Sequence, residues 1–270
     1  MFKQRLISGV ILVILALVFI IYGGYLLLAV CGIISLIGLT ELYKVFKIEK
    51  SLPGLFGYIA TIVFYLNLAF GFIPDMMLFV MALLILCMCS FVFCYPKYHA
   101  NQIIAAFFGV FYVSMMLSCI YQTRSLAGGL YLVWLIFLCS WGCDTCAYCV
   151  GMLFGKHKMT PVLSPKKSVE GAVGGVIGAA ILTVIYGLIF KGAMGADNKY
   201  IILMAVISIA GALLSMVGDL AASAIKRNFE IKDYGKLIPG HGGILDRFDS
   251  VIFTAPVIFY LSKYLIPFLG

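Results

Sequence analysis

"DMMLFVMALLILCMCSFVFCY", residues 75–95, carries a single charged residue, at its first position. At 1.5 Å per residue, about 20 apolar residues of helix match the roughly 30 Å hydrocarbon core of a bilayer. The run is typical of its chain. Of 270 residues, 64% are apolar and 11% charged, and the mean hydropathy is +1.13. A soluble chain of this size cannot cover itself with so little polar surface, so the bilayer is its solvent.

Working outward, further apolar runs lie near 6–22, 25–43, 55–73, 101–121, 129–152, 169–190, 200–222 and 250–268. With 75–95 they predict an all-α, polytopic integral membrane protein of about nine transmembrane helices. Residues 1–270 form a single membrane domain, in which 1–128 hold about five helices and 129–270 the remaining spans and the polar loops. The breaks are chemically sensible: Gly23-Gly24, Ser51 to Gly54, Pro74-Asp75 and Tyr95 to Lys97. Lys3 and Arg5 before an apolar run resemble a signal peptide, but no A-x-A site follows, and a retained first helix is expected. The nine cysteines lie mostly inside apolar runs, which argues against disulfides.

Nine spans place the amino terminus and the connections after spans 2, 4, 6 and 8 on one side. That side would hold fifteen of the nineteen Lys and Arg, leaving Arg124, Lys191, Lys199 and Lys263 on the other. The positive-inside rule puts the crowded side in the cytoplasm, with the carboxyl terminus outside a cell membrane crossed many times. The formal charge of +8 is then topology, or attraction to lipid head groups and nucleotides; no nucleic-acid partner is expected.

Two polar stretches face that side: "FGKHKMTPVLSPKKSVEG" (154–171), and Lys226 to Asp249, which has nine of the thirty charges in twenty-four positions. Two or three lysines would orient a helix, so this density points to chemistry. Asp144 in span 6 and Asp219 near the end of span 8 are carboxylates at membrane depth. Such groups cost about 2.5–3.5 kcal/mol on insertion scales and face a polar cavity or partner. Asp219, Ser223, Lys226 and Arg227 fall on one helix face. Asp246 and Asp249, three apart, lead into span 9. Acids converging at a membrane boundary suit Mg²⁺, and neighbouring cations suit phosphates, a pairing that points to phosphoryl or nucleotidyl transfer. Phosphate contact and loop packing are both open readings for His241, beside Gly242 and Gly243 whose backbone would accommodate a close anion.

Two motifs mislead. Cys143, Cys146 and Cys149 read C-x-x-C-x-x-C, yet no convincing fourth ligand accompanies them inside a span, and helix packing is the better reading. "GAVGGVIG" (171–178) lacks the dinucleotide spacing and follows no strand; its glycines suit close helix packing in a bilayer.

The stretch "SAIKRNFEIKDYGKLIPGHGGILDRFD" (223–249) resembles the signature of the phosphatidate cytidylyltransferases (CDP-diacylglycerol synthases) in its Ser, Lys-Arg, Lys-Asp, Pro, His-Gly-Gly and Asp-Arg-hydrophobic-Asp positions. "DTCAYCVGMLFGKHKMTPVLSPKKSVEG" (144–171) resembles the upstream segment of that family, whereas the first 130 residues agree only in being several spans. The resemblance implies that CTP and phosphatidic acid give CDP-diacylglycerol and pyrophosphate, with Mg²⁺ required. It implies Asp219, Asp246, Lys226 and Arg227 as catalytic residues, and Asp219, Asp246, Asp144 and Asp249 as metal ligands. Lys166, Lys167, Ser168, Ser223, Lys232, His241, Gly242, Gly243 and Arg247 would bind substrate. A homodimer is an open reading. Two rival readings fit the sequence less well. A CDP-alcohol phosphotransferase lacks its D-G-x-x-A-R pattern here, and a transporter lacks internal repeats.

Overall fold

Several helix starts in this chain are set by short polar side chains at the ends of apolar runs. The structure, a computed structural model, describes residues 2–238 and 242–269. Ser51 Oγ accepts from Gly54 N, Asp75 Oδ1 from Met77 N, Ser168 Oγ from Gly171 N and Asp197 Oδ1 from Tyr200 N, at 2.7–3.2 Å. Each satisfies an amide that the first helical turn leaves without an intrahelical partner.

Among the described residues, seven helices are long and apolar enough to cross a membrane: α2 (Gly24–Val45), α3 (Leu52–Phe70), α4 (Met76–Phe93), α5 (Ala100–Arg124), α6 (Gly129–Phe154), α7 (Val169–Ile189) and α9 (Asn198–Asn228). They make the chain a helical, multi-pass membrane protein. Helix α1 (Phe2–Tyr22), the short α8 (Lys191–Met194) and α10 (Leu245–Leu265) complete the set, with a last 3₁₀ turn at Ile266–Leu269. Widened π-type turns interrupt α5 at Val110–Met115 and α6 at Leu138–Gly142. The second ends two residues before Asp144, and such turns re-aim the side chains that follow them.

One small sheet accompanies the helices: Lys158–Thr160 (β1) pairs antiparallel with Ser164–Ser168 (β2). Pro161 and Pro165 lack backbone N–H donors, so the stretch between two spans cannot continue as a helix. The charged segment is also less of a loop than its composition suggests. Helix α9 runs on through Lys226 and Arg227 to Asn228, and α10 begins at Leu245, before Asp246. Cations in a last turn and an acid in a first turn both complement the helix dipole, so polar ends extend these helices.

The chain divides into two units, residues 1–118 with 233–246, and 119–232 with 247–270. In the first, Tyr43 is fully buried and its hydroxyl donates to Ala106 O at 2.6 Å. The pairs Ser35–Tyr65 and Thr61–Ser114, both at 2.7 Å, satisfy other polar groups in the interior. In the second, α7 lies close against Cys143–Phe154. A Cβ at Gly174 would stand 2.5 Å from Val150, one at Gly175 2.9 Å from Ala147, and one at Gly178 2.5 Å from Cys146. Small residues replace the hydrophobic driving force that lipid removes, and the glycine run does what its spacing predicts. Cys143, Ala179 and Ala212 form the small core behind that seam.

Candidate active site

In the second unit, the alternation of β2 exposes Lys166 and turns Lys167 inward. The Lys167 ammonium forms an ion pair with Asp219 Oδ2 on α9, both side chains about a quarter exposed. Asp144 on α6 accepts from Ser250 Oγ at 3.5 Å. It lies close enough to be repelled by Asp219 and attracted by Lys167 and Arg247. Asp249 interacts unfavourably with Asp219 and Asp144 and favourably with Lys226. Three acids and three cations thus occupy one neighbourhood. The Nε of Arg247 is buried without a hydrogen-bond partner among the described residues, a donor with unused capacity for an anion. Trp141 Nε1 donates to Arg247 O at 3.4 Å, which fixes the backbone that carries this side chain.

The remaining predicted residues of this unit sit at its polar margin. Ser223 and Lys226 are half-buried on α9, while Arg227 and Lys232 are exposed. Ser168 is buried and its hydroxyl oxygen caps α7, so its first task is to start a helix.

In the first unit, the segment 233–246 is folded around two buried carboxylates. Asp246 Oδ2 accepts from Tyr234 N at 2.8 Å and from Gly243 N at 2.9 Å. Glu41, on α2, accepts from Ile244 N at 3.0 Å through Oε1 and from Leu245 N at 2.9 Å through Oε2. Glu41 and Asp246 are 5% and 6% exposed. A Cβ at Gly235 or Gly243 would stand 2.3 or 2.4 Å from Glu41 Oε1. Gly242 takes a φ of +85°, and Ile238 N donates to Gly242 O at 2.9 Å. The glycines therefore let backbone close on side-chain oxygens. The amide of Gly243 is engaged by Asp246 rather than open to a phosphate. His241 lies outside the described residues.

Glu41 was missed by sequence reasoning. A signal existed: an acid inside the apolar run 24–45, which carries the usual cost of membrane depth. Among the described residues no three His, Cys, Asp or Glu side chains are placed to hold a metal ion by themselves. Cys143, Cys146 and Cys149 are free thiols, and the first two face the glycine seam of α7.

The chain is similar to known proteins over nearly its whole length. A phosphatidate cytidylyltransferase of Staphylococcus haemolyticus (strain JCSC1435) is 35% identical over 262 residues, covering 95% of this chain and 97% of that protein. One of Staphylococcus aureus (strain COL) is 36% identical over 264 residues with the same coverage. One of Staphylococcus saprophyticus is 34% identical over 260 residues, again with 95% and 97% covered. The profile of the cytidylyltransferase family matches residues 3–265. With near end-to-end agreement on both counts, the chain belongs to the cytidylyltransferase family.

Proposed function

We propose that the protein is a membrane nucleotidyltransferase that converts CTP and phosphatidic acid to CDP-diacylglycerol and pyrophosphate. The observation that carries this reading is the group Asp144, Asp219, Asp249, Lys167, Lys226 and Arg247 in one unit. Phosphatidate is a phosphomonoester whose second pKa, near 6 by analogy with phosphoserine, leaves it largely ionised at neutral pH. Its phosphate oxygen attacks the α-phosphorus of CTP, the bond from that phosphorus to the β-phosphate bridging oxygen breaks, and pyrophosphate leaves. No general base is needed. The barrier is repulsion between two polyanions, which Lys167, Lys226 and Arg247 reduce by holding phosphate oxygens. Arg227, Lys232, Lys166 and Ser223 supply further polar contacts at the margin.

Mg²⁺ fits this donor set. It is held through one or two carboxylates, waters and substrate phosphates rather than by an all-protein cage, so the lack of a three-ligand group among the described residues does not exclude it. Asp219, with Asp144 or Asp249 beside it, would hold it, where it would supply charge neutralisation between the reacting phosphates. Asp246, committed to two backbone amides, organises the 233–246 segment, and Gly242 and Gly243 allow that segment to close. We further propose nine spans, counting α1 and α10, with the amino terminus and both polar stretches cytoplasmic. The support is the distribution of fifteen against four Lys and Arg.

The test is purified protein in phosphatidylcholine vesicles with CTP, Mg²⁺ and phosphatidate, following pyrophosphate. Release that requires all three is expected; no release above a protein-free control overturns the assignment. In the same assay, joint replacement of Cys143, Cys146 and Cys149 by Ala is expected to keep activity within about tenfold, since it removes packing volume and no ligand. Abolished activity in folded protein would restore a metal role for the thiols.

A further inference from the structure

A second polar feature of the first unit takes no part in the reaction proposed above. Residues 46–51 connect α2 to α3, and residues 94–99 connect α4 to α5. Since α3 and α4 run out and back, both connections lie at the same membrane face. Together they line a cleft of about 420 Å³, with an adjoining hollow of about 300 Å³. Lys44, Lys47, Lys50 and Lys97 line this region with Glu49 as the acid, an excess of three positive charges. None of the four ammonium groups makes an ion pair among the described residues.

Topology alone asks for lysines near a membrane boundary, not for a constructed cleft. This one is constructed. Ile48 is fully buried, and its N donates to Tyr43 O at 2.9 Å. The Ser51 hydroxyl donates to Ile48 O at 2.8 Å while capping α3. Leu52 N donates to the buried Tyr98 hydroxyl at 3.1 Å, which ties the second connection to the first. Lys47 holds a left-handed φ of 57°, a conformation rare for a side-chain-bearing residue. The other wall is apolar: Leu52 and Leu55, spaced three apart on one face of α3, are 36% and 48% exposed.

Cations on one wall and exposed aliphatic side chains on the other match an amphiphile with a phosphate head and acyl tails. We propose that this cleft binds the head group of an anionic phospholipid. A free phosphate would use the lysines and leave the Leu52–Leu55 wall without a role.

The probe is a photoreactive phosphatidylglycerol, a lipid that is neither substrate nor product of the proposed reaction, doped into phosphatidylcholine nanodiscs holding the full chain. Adducts mapped by mass spectrometry are expected to concentrate in 44–58 and 97–98, above the level in the lipid-facing helix 76–93. Each Lys→Gln change at Lys47 or Lys50 should lower that yield by about fivefold at low salt, from about 1 kcal/mol per basic residue. Lys47→Arg with Lys50→Arg should retain it. Equal labelling of 76–93, insensitivity to the Gln changes, or loss of the adducts under excess inorganic phosphate would each overturn the proposal, the last by assigning the cleft to a soluble anion.

Discussion

Asp219→Asn is expected to lower kcat by at least about 10², or roughly 2.7 kcal/mol of transition-state stabilisation, in protein that still folds. The substitution keeps the size and shape of a side chain that is a quarter exposed on α9. It removes the charge that a hard divalent cation requires and that pairs with Lys167. Folding should tolerate the change because Asp144 and Asp249 both repel Asp219. Relief of that repulsion offsets the lost ion pair. Steady-state kinetics over a range of Mg²⁺ checks this: part of the loss should return as Mg²⁺ rises, and none as phosphatidate rises. An Asn variant with near-normal kcat and unchanged Mg²⁺ dependence removes Asp219 from the reacting group.

Glu41→Ala is expected to be nearly as damaging by a different route. It strips the acceptors from the Ile244 and Leu245 amides, both on buried residues. Each orphaned buried donor costs about 1–3 kcal/mol. The damage falls on the packing of 233–246, so hydrogen exchange of peptides from that segment should rise markedly while α7 and α9 peptides hold their protection. In the pyrophosphate assay kcat/KM should fall by at least about tenfold. Glu41→Gln keeps one carbonyl acceptor and should fall between Ala and wild type. Unchanged exchange in 233–246 after Glu41→Ala would show that the carboxylate does not hold the segment.

These two acids differ in how visible they are in the sequence. Asp219 announces itself, because it ends an apolar run and shares a helical period with Ser223 and Lys226. Asp144 is legible as a carboxylate inside an apolar run, and Lys167 through its place in the polar stretch before α7. Glu41 sits one turn from Lys44 at a span end, where charges are ordinary. Its partners are backbone amides about two hundred positions away, and an amide has no residue signature. Hydrogen bonds from side chain to distant backbone are invisible to pattern reading, whatever their strength. The same limit concealed the engagement of Gly243 N by Asp246, which sequence reading left open to a phosphate. The spans were readable because hydrophobic length is a bulk property, but their ends were not. Lys226 and Arg227 lie past the expected end of the apolar run at residue 222, although their spacing from Asp219 and Ser223 marks the helix that continues through them. The β1–β2 pair went unseen because its strands are short and polar, with no alternation strong enough to mark them.

The 31 residues of α9 measure roughly 46 Å, against about 30 Å of hydrocarbon. The helix is a depth gauge. Tyr200 to Asp219 accounts for about 30 Å of it, so when Tyr200 meets one boundary, Asp219 meets the other, where phospholipid phosphates reside. The remaining turns, with Ser223, Lys226 and Arg227, would then pass beyond that boundary toward the side from which, on the proposed reading, a soluble triphosphate arrives. A lipid could therefore react with its acyl chains still in the leaflet, without being lifted out. The nucleotide would come to the membrane, and the product would already be where lipid enzymes that follow must find it.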